Sequence, residues 1–187
     1  RNGRTKDGND RTQAALIKML GLDQGPLCKA LAGLNIVPVT ISYEIEPCDM
    51  QKVRETCISK REEYMKAPME DLQSILSGIT GEKGRIHYVF GKPLNEFILE
   101  LEAMNLSDSE IMDRVAGEID RQIHGSYRLW PNNYLAWDML HDSRRFSSRM
   151  STGIVGMKDL DAEELRELFL GLYSAPVANH YSDVKDR

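Results

Sequence analysis

The chain has 187 residues, of which 41% are hydrophobic and 28% are charged, and its formal net charge is −5. This length is enough for one domain with a core of its own, and the composition excludes an intrinsically disordered protein. The acidic balance argues against a general nucleic-acid-binding protein, which would carry a basic excess.

The first half of the chain predicts an α/β unit. Residues 1–10, rich in Gly, Asp, Asn and basic side chains, indicate a loop, and a helix follows from about Asp10 to Gly21. A further helical turn or two is expected over 27–32. The run 36–43 predicts a strand, and its continuous apolar character favours burial on both faces. Within it, Pro38 favours an edge, a bulge or the start of the strand.

The rest of the chain predicts mostly helices. Residues 49–76 are helical in pattern, with a break at Pro68, and a second strand is expected over 85–90. From Leu94 onward the apolar spacing is helical. Ser107-Asp108-Ser109-Glu110 is a capping-box sequence that opens one of these helices. The predicted fold is therefore α/β, a partial sheet with covering helices in the N-terminal half, followed by an α-helical C-terminal extension.

Cysteine usage and apolar runs give an expected location. The three cysteines, Cys28, Cys48 and Cys57, occur at unrelated spacings, which does not indicate a disulfide framework. We expect reduced thiols and a cytoplasmic protein. The apolar runs are too short to predict a transmembrane helix, so membrane association is expected only through other parts of the intact protein.

The chain begins at Arg1 and not at a methionine, which predicts a fragment of something longer.

The beginning of the chain is the segment with the most chemical information. Four positive charges fall within its first eleven residues: Arg1, Arg4, Lys6 and Arg11. Arginine forks and lysine ammonium groups bind phosphate oxygens, and the glycines Gly3 and Gly8 let the backbone approach a ligand. The amides of the following helix would add to an anion site. On spacing alone, a flexible charged tail is the more common interpretation. The segment is not a Walker loop, since the Gly-Lys-Ser/Thr ending is missing.

Three segments resemble a known family. Residues 3–13, reading Gly-Arg-Thr-Lys-Asp-Gly-Asn-Asp-Arg-Thr-Gln, resemble the third signature block of the glycerol-3-phosphate and lysophosphatidate acyltransferases, in particular of a bacterial subgroup. Residues 36–44 resemble the fourth block of that family, a hydrophobic strand with a central proline. Residues 89–94 resemble its later strand, which ends in Gly-x-Pro. The segments stand in the order of the family, and the resemblance covers roughly residues 1–94.

The resemblance implies transfer of an acyl group from an acyl thioester to a hydroxyl of glycerol phosphate or a lysophospholipid. Acyl-CoA or acyl carrier protein would be the donor, with no permanently bound cofactor, no metal and no nucleic-acid partner. Residues 1–94 would be the C-terminal part of the acyltransferase domain, and residues 95–187 a helical extension. The acceptor phosphate would be held by Arg1, Gly3, Arg4, Lys6 and Arg11, with Pro38 in the wall of the site.

The catalytic block of the family is absent from this sequence. In the family, a His-x-x-x-x-Asp block supplies the general base. Five residues beyond the four histidines stand Lys92, Leu129, Phe146 and Lys185, none of which is an aspartate. Asn2 also stands where the family usually has glutamate. We therefore expect no catalytic residue in this chain, no activity of the fragment alone, and a base contributed by a preceding segment. The alternative is a non-catalytic helical interaction domain whose basic N-terminal loop binds an anionic partner.

Overall fold

The computed structural model describes residues 6–9, 11–22, 25–142 and 162–184, and this part of the chain is mostly helical. In chain order the elements are α1 (Ala14–Leu20), α2 (Leu27–Gly33), β1 (Val39–Tyr43), α3 (Asp49–Ser59), α4 (Glu70–Thr80), β2 (Ile86–Phe90), α5 (Asn95–Glu102), α6 (Asp108–Gly125), α7 (Pro131–Leu140) and α8 (Ala162–Val184). The predicted helix-rich second half is confirmed for the described residues.

The two strands form a small antiparallel sheet. Val39 lies opposite Phe90, and Tyr43 lies opposite Ile86. Strand β1 begins directly after Pro38, as expected for a residue that has no N–H to donate. The carbonyl of Pro38 still takes part, because its oxygen accepts the N–H of Gly91 at 2.8 Å. Both predicted strands are present among the described residues, β1 beginning three residues later than the predicted run 36–43.

The two faces of this sheet differ. On one face, the hydroxyl of Thr40 donates to the carbonyl of Ile123 in α6 at 3.2 Å, and the hydroxyl of Ser42 accepts the N–H of Arg128 at 3.1 Å. The other face carries exposed apolar side chains: Val39, Ile41, Ile86, Tyr88 and Phe90. The prediction that the first strand is buried on both faces is wrong for the described residues, because helix α6 covers only the side where β1 presents hydroxyl groups.

The apolar cores lie between helices. One core joins α1, α2, α5 and α6 through Ile17, Cys28, Leu31, Leu94, Ile98, Leu101, Ile111, Val115 and Ala116. The other joins α3, α7 and α8 through Val53, Cys57, Ala136, Leu165, Leu170, Leu172 and Tyr173. Each buried aliphatic side chain contributes roughly 1.5–3 kcal/mol. Both cores combine helices from either side of residue 94, so the two halves of the chain are packed together.

Helix α6 starts at the capping box that the sequence predicts. The hydroxyl of Ser107 accepts the N–H of Glu110 at 3.4 Å, and the carboxylate of Glu110 accepts the N–H of Ser107 at 2.9 Å. The three cysteines are free thiols. Among the described helices, none has the length and apolar character needed to cross a bilayer.

Candidate anion-binding site

The basic segment is residues 1–11, and its residues 6–9 lie against helices α3 and α8. The ammonium group of Lys6 forms an ion pair with Glu55 of α3. Gly8 has a positive φ of 74°, and a β-carbon on this residue would collide with the carbonyl oxygen of Leu172 in α8. A glycine is therefore needed here both for its conformation and for its lack of a side chain. This part of the segment is packed on the helices, which a free charged tail would not be.

The chain is next held at the entry to α1. The carboxylate of Asp120, in α6, accepts the N–H of Thr12 at 3.0 and 3.1 Å and its hydroxyl at 2.7 Å. Asp120 is only 6% exposed, and these bonds replace the water that its carboxylate loses on burial. This contact fixes the end of the basic segment to helix α6.

A second carboxylate, Asp183 of α8, holds Arg11. The guanidinium of Arg11 lies 3.3 Å from it, and the imidazole Nδ1 of His124 in α6 is hydrogen-bonded to the same carboxylate. Burial raises the pKa of Asp183, but hydrogen bonds from His124 and Ser182 and the charge of Arg11 outweigh it, so the pKa lies below its usual value. The ring Nδ1 of His180 adds a bond to the carbonyl of His124 at 2.8 Å.

The His124–Asp183 pair is structural in this part of the chain. His124 is completely buried, so its imidazole cannot reach the hydroxyl of a bound acceptor, as a general base must. The pair joins residues 59 positions apart, on two different helices. It is therefore unrelated to a His-x-x-x-x-Asp block, and its effect is to fix α8 and Arg11 against α6.

An open groove lies beside Gly8, with a volume of about 160 Å³. Space on the order of 150 Å³ accommodates a benzene-sized molecule. The wall comes from six parts of the chain: Gly8, the end of β1 with the turn after it, α3, the connection between α6 and α7, α7 itself, and α8. Its lining residues include Gly8, Ser42, Tyr43, Lys52, Arg128 and Tyr173. Most of these are polar, so the groove suits a small polar ligand.

The floor of the groove is fixed by buried hydrogen bonds. The hydroxyl of Tyr173 donates to Asp49 at 2.7 Å and accepts the N–H of Glu46 at 3.1 Å. Burial and the bond to Asp49 raise the pKa of Tyr173 well above its usual value, so this hydroxyl stays protonated. The amide of Asn133 donates to the carbonyl of Tyr173 at 2.9 Å and accepts the N–H of Trp130 at 2.8 Å. The site is thus rigid before any ligand arrives.

The groove has an excess of positive charge. Lys52 lies 3.1 Å from Glu46, which neutralises it. Arg128 is exposed, and among the described residues its guanidinium has no carboxylate partner. The sequence pattern places Lys52 on a solvated helix face and gives no signal for Arg128, because it is a single arginine between two helices. Both residues reach the groove only through the packing of helices around it.

The residues predicted to bind phosphate are in different situations. Arg1, Gly3 and Arg4 lie outside the described residues. Lys6 and Arg11 are described, and each has a carboxylate partner. Pro38 is buried directly before β1, and it does not line the groove beside Gly8.

The structure brings the three family-like segments together. Gly8 of the first segment and Ser42 of the second line the same groove. The second and third segments pair as β1 and β2, and the pairing extends past the strands, where the N–H of Leu94 donates to the carbonyl of Ile36 at 2.9 Å. The first two segments therefore meet at the groove, and the third is joined to them through its pairing with the second.

Comparison with known proteins adds no relative to this description. No protein-family model, no curated protein and no solved structure matches the chain. The functional argument therefore depends on the residues of the segments and on the geometry of the groove.

Proposed function

We propose that this chain is the acceptor-binding part of an O-acyltransferase, which moves an acyl group from an acyl thioester to a hydroxyl of glycerol phosphate or a lysophospholipid. The observation that carries the proposal is that the first two segments line one groove with excess positive charge, while the third segment pairs with the second. Acyl-CoA or acyl carrier protein is the donor. The basic segment, with Arg1, Gly3, Arg4, Lys6 and Arg11, holds the acceptor phosphate.

The groups of this chain bind and orient, and another segment supplies the base. In an acyl transfer, a positioned base takes the proton of the attacking hydroxyl, and hydrogen-bond donors stabilise the oxyanion. His124 is buried and already bonded to Asp183, so it is unsuited to the first task. We place the base in a His-x-x-x-x-Asp block that precedes Arg1 in a longer protein. The acceptor phosphate anchors the substrate so that its hydroxyl faces that block.

The exposed face of the sheet supports the presence of such a segment. A two-stranded hairpin is only marginally stable by itself, and β1 and β2 leave an apolar face uncovered. Helix α4 has no buried residue, although Leu72, Ile75, Leu76 and Ile79 line it. We propose that the preceding segment adds strands to this sheet and covers its open face. Residues 1–94 would then complete an α/β domain, with residues 95–187 as its helical extension.

The alternative is a non-catalytic interaction domain that binds an anionic partner through the basic segment, and the exposed apolar side of α4 is the feature that favours it. Selectivity for the ligand distinguishes the two functions. An acceptor site recognises a phosphate monoester within a shaped groove, whereas a charged loop attracts any anion of similar charge.

The double substitution Arg4→Gln/Lys6→Gln tests this difference. We expect it to weaken binding of glycerol 3-phosphate at least about tenfold, because each charge-assisted hydrogen bond contributes roughly 1.5–3 kcal/mol. Isothermal titration with glycerol 3-phosphate and with sulfate measures the selectivity. The control Lys18→Gln/Lys29→Gln removes the same charge from exposed helix positions. Equal loss for both anions would favour the interaction domain.

A further inference from the structure

The connection between α6 and α7 brings a cation to the groove from the helical half of the chain. Tyr127, Arg128 and Leu129 all line the groove. Their backbone is fixed on both sides, because Arg128 donates its N–H to Ser42 of β1 at 3.1 Å and Trp130 donates its N–H to Asn133 of α7 at 2.8 Å. The position of Arg128 is therefore set by the fold and does not depend on a mobile tail.

The neighbouring cations are already neutralised. Arg85 forms a two-pronged pair with Glu44, at 2.7 and 2.9 Å, and this pair lowers the pKa of Glu44 to about 2. Lys52, which lines the groove, is paired with Glu46. The guanidinium of Arg128 lies 5.6 Å from the ring of Trp130, and no described carboxylate meets it. Arg128 is thus a cation of the groove that is ready for a ligand.

The surroundings of Arg128 fit a phosphate group. A guanidinium donates two parallel N–H bonds to two oxygens of a phosphate, a geometry that lysine does not offer. Gly8 of the basic segment lines the same groove, and its backbone is held against the carbonyl of Leu172 in α8. Lys52, paired with Glu46, also lines this groove, and most of the lining residues are polar.

We infer that this groove is the seat of a phosphate monoester and that Arg128 is its bidentate ligand. The inference rests on the proposed function, since the ester is then the acyl acceptor. Free glycerol phosphate and the headgroup of lysophosphatidate share this chemistry. The inference gives the helical half of the chain a direct part in substrate binding, because the connection between α6 and α7 completes the site that the basic segment begins.

The substitution Arg128→Gln tests the inference in the 187-residue chain. We expect the Kd for glycerol 3-phosphate, measured by isothermal titration, to rise at least about tenfold, the equivalent of one lost charge-assisted bond. Arg128→Lys should recover only part of the affinity, since it keeps the charge and loses the fork. The control Arg114→Gln removes an exposed arginine of α6 that does not line the groove, and it should leave the Kd unchanged.

Short-chain lysophosphatidate forms the second arm of the experiment. A loss of affinity for either phosphate ester in Arg128→Gln supports the inference, and the ester more affected identifies the source of the phosphate. Equal affinity of Arg128→Gln and the unsubstituted chain, or no binding of either ester to the unsubstituted chain, would overturn it. Acyl transfer is assayed separately in the complete gene product. If the complete gene product transfers acyl groups but Arg128→Gln leaves the Kd unchanged, this inference alone is rejected. If Arg128→Gln weakens binding but the complete gene product transfers no acyl group, the proposed function alone is rejected.

Discussion

Replacing Gly8 with alanine is expected to displace the basic segment from α8 and to abolish binding of a phosphate acceptor. An alanine at φ 74° costs roughly 1 kcal/mol. Its β-carbon would also collide with the carbonyl oxygen of Leu172, which belongs to the backbone of a helix and cannot turn aside. Overpacking of this kind costs on the order of 1–3 kcal/mol. Urea denaturation gives the change in the free energy of unfolding, and titration with glycerol 3-phosphate gives the binding.

Gly25→Ala is the matched control. Gly25 also has a positive φ, 89°, but a β-carbon there would meet nothing within 4 Å. Gly25→Ala should therefore show the cost in unfolding free energy of an alanine at positive φ without the collision. This variant should bind glycerol 3-phosphate normally. If the two variants have the same stability and the same affinity, Gly8 is not packed on α8 as the structure has it.

Substituting Asp120 with alanine is expected to give the larger loss of stability. The change leaves the N–H and the hydroxyl of Thr12 without their acceptor. Each unsatisfied buried group costs about 1–3 kcal/mol, so we expect a fall of roughly 2–4 kcal/mol in the free energy of unfolding. The entry to α1 would also be released, which weakens binding in the groove. Thermal and urea denaturation measure the fall in the free energy of unfolding.

Asp113→Ala controls for the loss of a charge from α6. Asp113 is exposed on the same helix and does not line the groove, so its substitution should change stability by less than about 0.5 kcal/mol. Asp120→Asn keeps one oxygen as an acceptor for Thr12 and should have an intermediate stability. A stability of Asp120→Ala equal to that of Asp113→Ala would contradict the anchoring role of Asp120.

Local signals in the sequence predict much of the fold. The capping box at Ser107 predicts the start of α6, because this effect depends only on adjacent residues. Pro38 favours an edge, a bulge or a strand start, and the structure has the last of these, with β1 beginning at Val39. The burial of the first strand was predicted wrongly. Which face of a strand is covered depends on the helix that packs on it. The alternation of hydroxyl and apolar side chains in β1 is the local feature that corresponds to one covered face and one open face.

The site is less accessible to sequence reasoning. The sequence predicts a positive φ at Gly8, and the structure has one, but the space that a side chain would need is occupied by the carbonyl of Leu172. The carboxylate partner of Arg11 stands 172 residues away, so no local pattern indicates it. Arg128 has no motif around it. Its place in the groove results from the pairing of its backbone with Ser42, which is a property of the tertiary fold.

Acyl transfer by the complete gene product is the most direct test of the proposed function. The protein, including whatever is encoded before Arg1, is incubated with labelled acyl-CoA or acyl carrier protein and with glycerol 3-phosphate or lysophosphatidate. We predict an acylated, phosphate-containing product whose formation requires the histidine of a His-x-x-x-x-Asp block in the preceding segment. Absence of that block from the gene, or absence of transfer to any glycerol phosphate acceptor, would contradict the acyltransferase function.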